Sequence, residues 1–227
     1  MVDFHNAQKS TSFADTAEEL KCVNENGSNT ISKCGLPTVK LVRCSPDEHK
    51  LEYPYVFSYF SKPKTNFEPE DYAQYVIQLA AVQSVEQFWS VQQHLKRVAE
   101  IPGKVDFHLF KIGIQPVWEH ESNCNGGKWI LRLRKGLSSR IWELLLVAMI
   151  GEQFSVGDEI CGAVCSVRNT EDIISLWTRG TDNDKIMRIQ NVLRRCLNLP
   201  GNVVLEYKKH NDCLKDQSSY RHAKNFA

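Results

Sequence analysis

Trp118 and Glu119 stand side by side in Ile114-Gln115-Pro116-Val117-Trp118-Glu119-His120-Glu121, a stretch that has neither a helical nor a strand period and contains a proline. Such a segment reads as a loop, the kind of element that most often carries binding residues. The indole offers a flat π surface. The two oxygens of the carboxylate can accept from two N–H groups, the pattern on the Watson–Crick edge of guanine. The bland alternative is a core tryptophan beside a solvated acid, and the loop alone leaves both open.

A second constellation lies on Lys128-Trp129-Ile130-Leu131-Arg132-Leu133-Arg134. On a strand, Lys128, Arg132 and Arg134 project from one face while Trp129, Leu131 and Leu133 fill the other. A row of cations suits phosphates, although an ordinary solvated strand face has the same pattern. Arg168, at the end of the apolar run Cys161 to Val167, is a further candidate for the same cleft. His120 between Glu119 and Glu121 is set aside as a metal site, because adjacent residues point apart and no His-x-x-x-His or His-Glu-x-x-His pattern is present. Cys161 and Cys165 are expected to share one strand face as packed thiols. The chain has no phosphate-binding glycine loop, nucleophile elbow or dinucleotide fingerprint. An enzyme acting on a nucleotide, with Glu119 and Glu121 as acid and base, is therefore the weaker reading, and the chain is read as no enzyme.

These residues need elements to hold them. Short apolar or alternating runs at Tyr53–Phe60, Lys128–Arg134, Ile160–Val167, Ile173–Thr178 and Val203–Tyr207 predict strands. Ser84 followed by Gln87 is a capping box that opens a helix running to about Val98. A second helix covers Ser138–Ile150 and is apolar almost all round, more than one core face requires. A third spans about Asp184–Leu199 and ends at Pro200-Gly201. Asn125-Gly126-Gly127 reads as a hairpin signal. Together these predict an α+β fold, an antiparallel sheet with helices on one face and the other face free for a ligand.

The 227 residues, with Lys+Arg 28 against Asp+Glu 27, fit one domain with tails and argue against a broad electrostatic grip on long nucleic acid. Residues 1–46 read as a disordered N-terminal arm and 211–227 as a flexible C-terminal tail around a domain at 47–210. The start of the chain shows no apolar secretory run and no later stretch reaches membrane-spanning length, and the eight cysteines are scattered without Cys-x-x-Cys pairs. A soluble, cytoplasmic protein with free thiols follows as the expectation.

From His49 to about His210 the sequence closely resembles the eukaryotic translation initiation factor 4E cap-binding proteins, in particular their 4E-homologous-protein branch. The resemblance rests on Ser84-Val85-Glu86-Gln87-Phe88-Trp89, Pro116-Val117-Trp118-Glu119, Gly126-Gly127-Lys128-Trp129, Ile150-Gly151-Glu152 and Ile160-Cys161-Gly162-Ala163-Val164, in family order. It implies a strongly curved sheet of about eight strands, about three helices on the convex face and a slot for the 7-methylguanosine cap of messenger RNA on the concave face. Tyr72 and Trp118 would sandwich the cationic base by stacking and cation–π attraction. Glu119 would take its edge, Trp177 would lie near the methyl group, and Lys128, Arg132 and Arg168 would hold the phosphates. The general initiation factors carry tryptophan where Tyr72 and Tyr55 stand here, and lysine after the arginine where this chain has Asn169-Thr170-Glu171-Asp172.

On the outer face, Val85, Trp89, Leu144 and Val147 match a docking surface for helices with a Tyr-x-x-x-x-Leu-hydrophobic motif, as in 4E-binding proteins and RNA-bound repressors. The implied protein is monomeric, needs no cofactor or metal, and represses translation by occupying caps. Recruitment of the initiation scaffold is the alternative, and a binding module whose cap slot has decayed a third.

Overall fold

Alternation along one buried strand sorts the molecule into two environments. On Val105–Lys111, Val105, Phe107 and Leu109 enter the main core, whereas Asp106, His108 and Phe110 point to the opposite side, where Phe110 joins Cys161, Val164 and Trp177 in a second, smaller cluster. The period-2 geometry of a strand therefore puts a helix-covered core on one face of the sheet and a polar-lined cleft on the other.

The computed structural model describes residues 39–63 and 67–225. Its strands are β1 (Lys50–Ser61), β2 (Val76–Ser84), β3 (Val105–Lys111), β4 (Gly127–Arg134), β5 (Ile160–Val167), β6 (Glu171–Thr178), β7 (Glu206–Lys209) and β8 (Lys224–Asn225). They form one antiparallel sheet in the order β2-β1-β3-β5-β6-β4-β7-β8. Register breaks in β1 and in β5 add the twist that bends such a sheet. The helices are α1 (Val85–Gln92), α2 (Ser138–Ile150), α3 (Asn183–Cys196) and α4 (His210–Asp216).

The helix ends follow from side chains. Ser84 Oγ accepts from Gln87 N at 3.1 Å, so Ser84 caps α1 as expected, but Gln87 Oε1 takes Gln83 N, one residue before the reciprocal partner that a capping box would use. The helix stops at Gln92, short of Val98, and a 3₁₀ turn at Val98–Glu100 follows. Asp182 caps α3 through Lys185 N at 3.0 Å, and Arg194 and Arg195 sit in its last turn, where they complement the helix dipole. α1, α2 and α3 contribute Phe88, Leu145, Leu146, Met149, Ile189 and Leu193 to the main core. At about 1.5–3 kcal/mol per fully buried large apolar side chain, this face is what holds the sheet.

Four expectations are corrected. The chain from residue 211 is not a bare tail, because α4 and β8 occupy it. Of the expected arm, residues 1–38 lie outside the described residues, and the rest runs beside β2, with Val39 N donating to Gln78 Oε1 and Gln83 Nε2 to Val42 O. Gly126-Gly127 is not a hairpin turn, since β3 and β4 are not neighbours in the sheet. A Cβ at Gly126 would sit inside the Thr178 carbonyl, so glycine there permits close approach of two backbones. Finally, the register break between Ile160 and Gly162 flips parity, so Cys161 lies in the small cluster and Cys165 in the main core.

Candidate ligand-binding cleft

The cleft side of the sheet encloses a cavity of about 330 Å³. Its floor is the row of outward positions on four strands: Lys128 and Ile130 of β4, Ile173, Ser175 and Trp177 of β6, Val164 and Ser166 of β5, and Asp106 of β3. Pro116–Glu119 form one wall, Phe67 and Tyr72 another, and Gln217, Ser219 and Tyr220 of the C-terminal segment close a third.

The loop bearing Trp118 is fixed from beneath. Asn123, fully buried, donates through Nδ2 to Gln115 O and Val117 O, both at 2.8 Å, and Asn123 N donates to His120 O. Two carbonyls of an irregular segment thereby gain partners that no sheet supplies. Trp118, half-buried, packs against Phe110, Cys161, Val164 and Trp177, and Glu119 is exposed at its side. His120 Nδ1 accepts from Ser122 N at 3.1 Å, so His120 serves the turn.

Tyr72 lies on a 3₁₀ turn, Pro69–Tyr75, with its ring stacked on Phe60 at 4.2 Å between centroids. Its hydroxyl bonds His108 Nε2 at 3.0 Å and reaches Asp106 Oδ2 at 3.5 Å. Burial, then the Asp106 charge, pushes the phenol well above its ordinary pKa. Burial holds His108 down to about 4, so it is neutral at pH 7. Asp106 also pairs with Arg168, whose Nη2 stands 2.7 Å from Asp106 Oδ1. One carboxylate thus links the Tyr72 ring to the cleft's arginine.

Lys128 is not on a solvated strand face: it is buried, with Nζ 5.3 Å from the centroids of both Trp118 and Trp177, donating to Ser219 Oγ at 2.7 Å. Burial, helped by neighbouring Lys208, lowers its pKa to about 8. Trp177 is buried in the floor, its Nε1 donating to Ser175 Oγ at 3.2 Å and its ring 4.3 Å from that of His210. His210 is buried there, and burial, then Lys128, drives its pKa well below normal against a weaker opposing contact with the Gly127 backbone.

Arg132 does not line the cavity. Its Nε donates to Glu206 at 3.1 Å and its Nη1 to Glu171 at 3.4 Å, and its guanidinium lies 4.8 Å from the Tyr220 ring centroid. The acidic run after Arg168 is used internally: buried Asp172 accepts from Arg168 N and from Lys135 Nζ.

Six of the seven residues expected at the slot, Tyr72, Trp118, Glu119, Lys128, Arg168 and Trp177, therefore share one cavity, and Arg132 stands outside it. Asp106, His108, Asn123, Ser219 and Tyr220 were not foreseen. The alternation Val105-Asp106-Phe107-His108-Leu109 is the strand signal that points to the first two, whereas Asn123 and the tail residues carry no local signal. On the outer helices Trp89 is 43% and Val147 40% exposed, while Val85 and Leu144 are partly buried against the core. A larger open groove of about 520 Å³ lies along α3 at Met187, Arg188 and Arg195, away from all of these residues.

A family model described as Eukaryotic initiation factor 4E matches residues 50–225. Over 177 residues the chain is 62% identical to "Eukaryotic translation initiation factor 4E-4" of Caenorhabditis elegans, covering 78% of this chain and 84% of that protein. It is 42% identical to "Eukaryotic translation initiation factor NCBP" of Arabidopsis thaliana, covering 77% of this chain and 79% of that one. Among solved structures it resembles C. elegans eIF4E-3, in a complex with the 4E-binding protein Mextli and cap analog, with a TM-score of 0.69, 36% identity, and coverage of 78% of this chain and 99% of that one.

Proposed function

The chain belongs to the eukaryotic initiation factor 4E family, and from that premise we propose that it binds the 7-methylguanosine cap of messenger RNA without chemistry and represses translation by occupying caps. The observation that carries the reading is the convergence of Tyr72, Trp118, Glu119, Lys128, Arg168 and Trp177 on one cavity. The methylated base carries delocalised positive charge, which favours electron-rich rings on its faces. Glu119 accepts from the guanine edge, and Lys128 and Arg168 supply charge-assisted bonds to phosphate oxygens. For Arg168 this means exchanging part of its Asp106 contact for a phosphate.

Repression is supported by the resemblance at Tyr72 and Tyr55 and by the exposed Trp89 and Val147, which give regulatory proteins with a Tyr-x-x-x-x-Leu-hydrophobic helix an apolar surface to dock on. Such partners would tether the protein in the cytoplasm to chosen messages. A second reading, recruitment of the initiation scaffold through the same surface, is favoured by the names of the relatives, which are translation initiation factors. Peptides from the two partner classes, titrated against the chain, separate these readings.

Cap binding itself is tested by tryptophan fluorescence with 7-methyl-GTP and with GTP. Saturable quenching by the methylated nucleotide alone, lost in Trp118→Ala, is expected. An equal response to both ligands, or none, sinks the reading.

A further inference from the structure

Trp118 and Tyr72 line the same cavity but are held by different means. Trp118 packs on the small apolar cluster of Phe110, Cys161, Val164 and Trp177, whereas Tyr72 belongs to neither hydrophobic cluster of the described residues and rides on the short 3₁₀ turn Pro69–Tyr75. A 3₁₀ turn has poorer hydrogen-bond geometry than an α-helix, and the second torsion of a tyrosine side chain is broad and soft. What fixes this ring has to come from the strands beside it.

Two strands supply it. On β1, Phe60 is only 7% exposed yet joins neither hydrophobic cluster. Its ring lies under Tyr72, stacked at 4.2 Å between centroids with 29° between the planes, and meets Phe67 at 5.4 Å, which in turn sits edge-on to Tyr75 at 5.8 Å. On β3, His108 is 1% exposed, its Nε2 at 3.0 Å from the Tyr72 hydroxyl and its Nδ1 at 3.2 Å from Ser58 Oγ. The pairing register makes these one unit. Phe60 stands opposite Asp106 and Ser58 opposite His108 on the antiparallel pair β1–β3, so all four share the cleft side of the sheet. A flat ring beneath Tyr72 and a hydrogen bond at its far end restrain both its roll and its tilt.

We infer that Phe60 and His108 are positioning residues for the stacking tyrosine: Phe60 backs the ring, so that a bound cap base completes the series Phe60, Tyr72, base, Trp118, and His108 sets its tilt through the hydroxyl. The inference rests on the cap-binding reading and deepens it. Neither residue lines the cavity. Their effect is preorganisation, because a ring already held in its stacking orientation loses less conformational freedom when the base arrives. It bears on selectivity as well, since cation–π attraction needs the charged base over the face of the ring, and a ring that rolls or tips loses more with the methylated base than with plain guanine.

The test is a double-mutant cycle on the full chain, with 7-methyl-GTP and GTP titrated calorimetrically and the fold of each variant followed by thermal denaturation. Phe60→Leu keeps apolar bulk without a flat ring, His108→Ala removes the hydroxyl's partner, and His108→Gln restores a hydrogen-bonding group. Phe60→Leu and His108→Ala should each weaken 7-methyl-GTP about three- to tenfold and GTP less than twofold, and His108→Gln should recover most of the affinity. In a Tyr72→Ala background the same changes should have no effect, a result that general loosening of the fold would not give. The His108 variants run this cycle whether or not Phe60→Leu folds. A residue whose variant binds 7-methyl-GTP as the wild type does, or whose loss persists undiminished in Tyr72→Ala, has no positioning role, and the cap reading then stands without it. If the wild type itself binds no methylated ligand, both fall.

Discussion

Lys128 is the residue whose contribution pH can switch off. Its ammonium is buried against two indole rings, with Lys208 close enough to add repulsion, and its pKa falls from 10.5 to about 8. At about 1.4 kcal/mol per pKa unit, keeping that charge in place costs the free protein about 3 kcal/mol, a strain that an arriving phosphate relieves. Binding should therefore take up a proton once the pH passes about 8. With a free-state pKa near 8, the charged fraction falls from about nine-tenths at pH 7 to about one-tenth at pH 9, so this residue alone predicts about a tenfold loss of affinity for a phosphorylated cap. The methylated base sheds its own N1 proton in the same range, so the quantity to read is the ratio of wild type to Lys128→Arg, which keeps its charge throughout. Calorimetric titration of 7-methyl-GTP at pH 7 and 9 gives that ratio. Stability moves the other way. Between pH 8 and 10.5 the unfolded chain holds more protons at this site, so the contribution of Lys128 to folding improves as pH rises through the window in which binding weakens. A wild-type-to-variant ratio that stays flat from pH 7 to 9 would refute the picture of a desolvated, phosphate-rescued lysine.

Two further substitutions probe the supports of the slot. Tyr72→Phe keeps the ring but removes the hydroxyl bonded to His108 at 3.0 Å. Loss of about 1–2 kcal/mol of stability and several-fold weaker cap binding are expected, read by thermal denaturation and by titration. Wild-type affinity in that variant would show that the hydroxyl does not position the ring. Asn123→Ala deprives the carbonyls of Gln115 and Val117 of their buried donor. It should cost about 2 kcal/mol or more and speed hydrogen exchange across residues 115–124, with cap affinity falling although Asn123 does not line the cavity.

The sequence makes the local elements plain wherever one physical signal dominates. The Ser84 cap on Gln87 N, the run Ser138–Ile150 and the alternation on Lys128–Arg134 each appear where the residues put them. Strand β3 carries its own alternation, but nothing local shows that Asp106 and His108 face a cleft rather than solvent, because their partners, Arg168, Tyr72 and Ser58, come from elsewhere in the chain. The tail was missed for the same reason. Nothing within Asn211–Tyr220 announces that Lys208 and Lys128 will bind it down.

Parity alone likewise misplaced the cations. It put Lys128, Arg132 and Arg134 on one face, but which of them meets a ligand depends on depth and on neighbouring acids. Lys128 is buried in the floor, Arg132 is engaged by Glu171 and Glu206, and Arg168 is shared with Asp106. A phosphate arriving at Lys128 relieves desolvation, whereas at Arg132 it would have to displace two carboxylates from a partly exposed guanidinium, where charge pairs are screened and gain little. On the proposed cap-binding reading the phosphate grip therefore concentrates on Lys128 and Arg168, and the acidic residues around Arg132 hold it against the Tyr220 ring. On that reading, the division between a buried cation that gains from charge neutralisation and a satisfied one that gains little would let a protein of net charge +1 hold an anion locally without a basic surface.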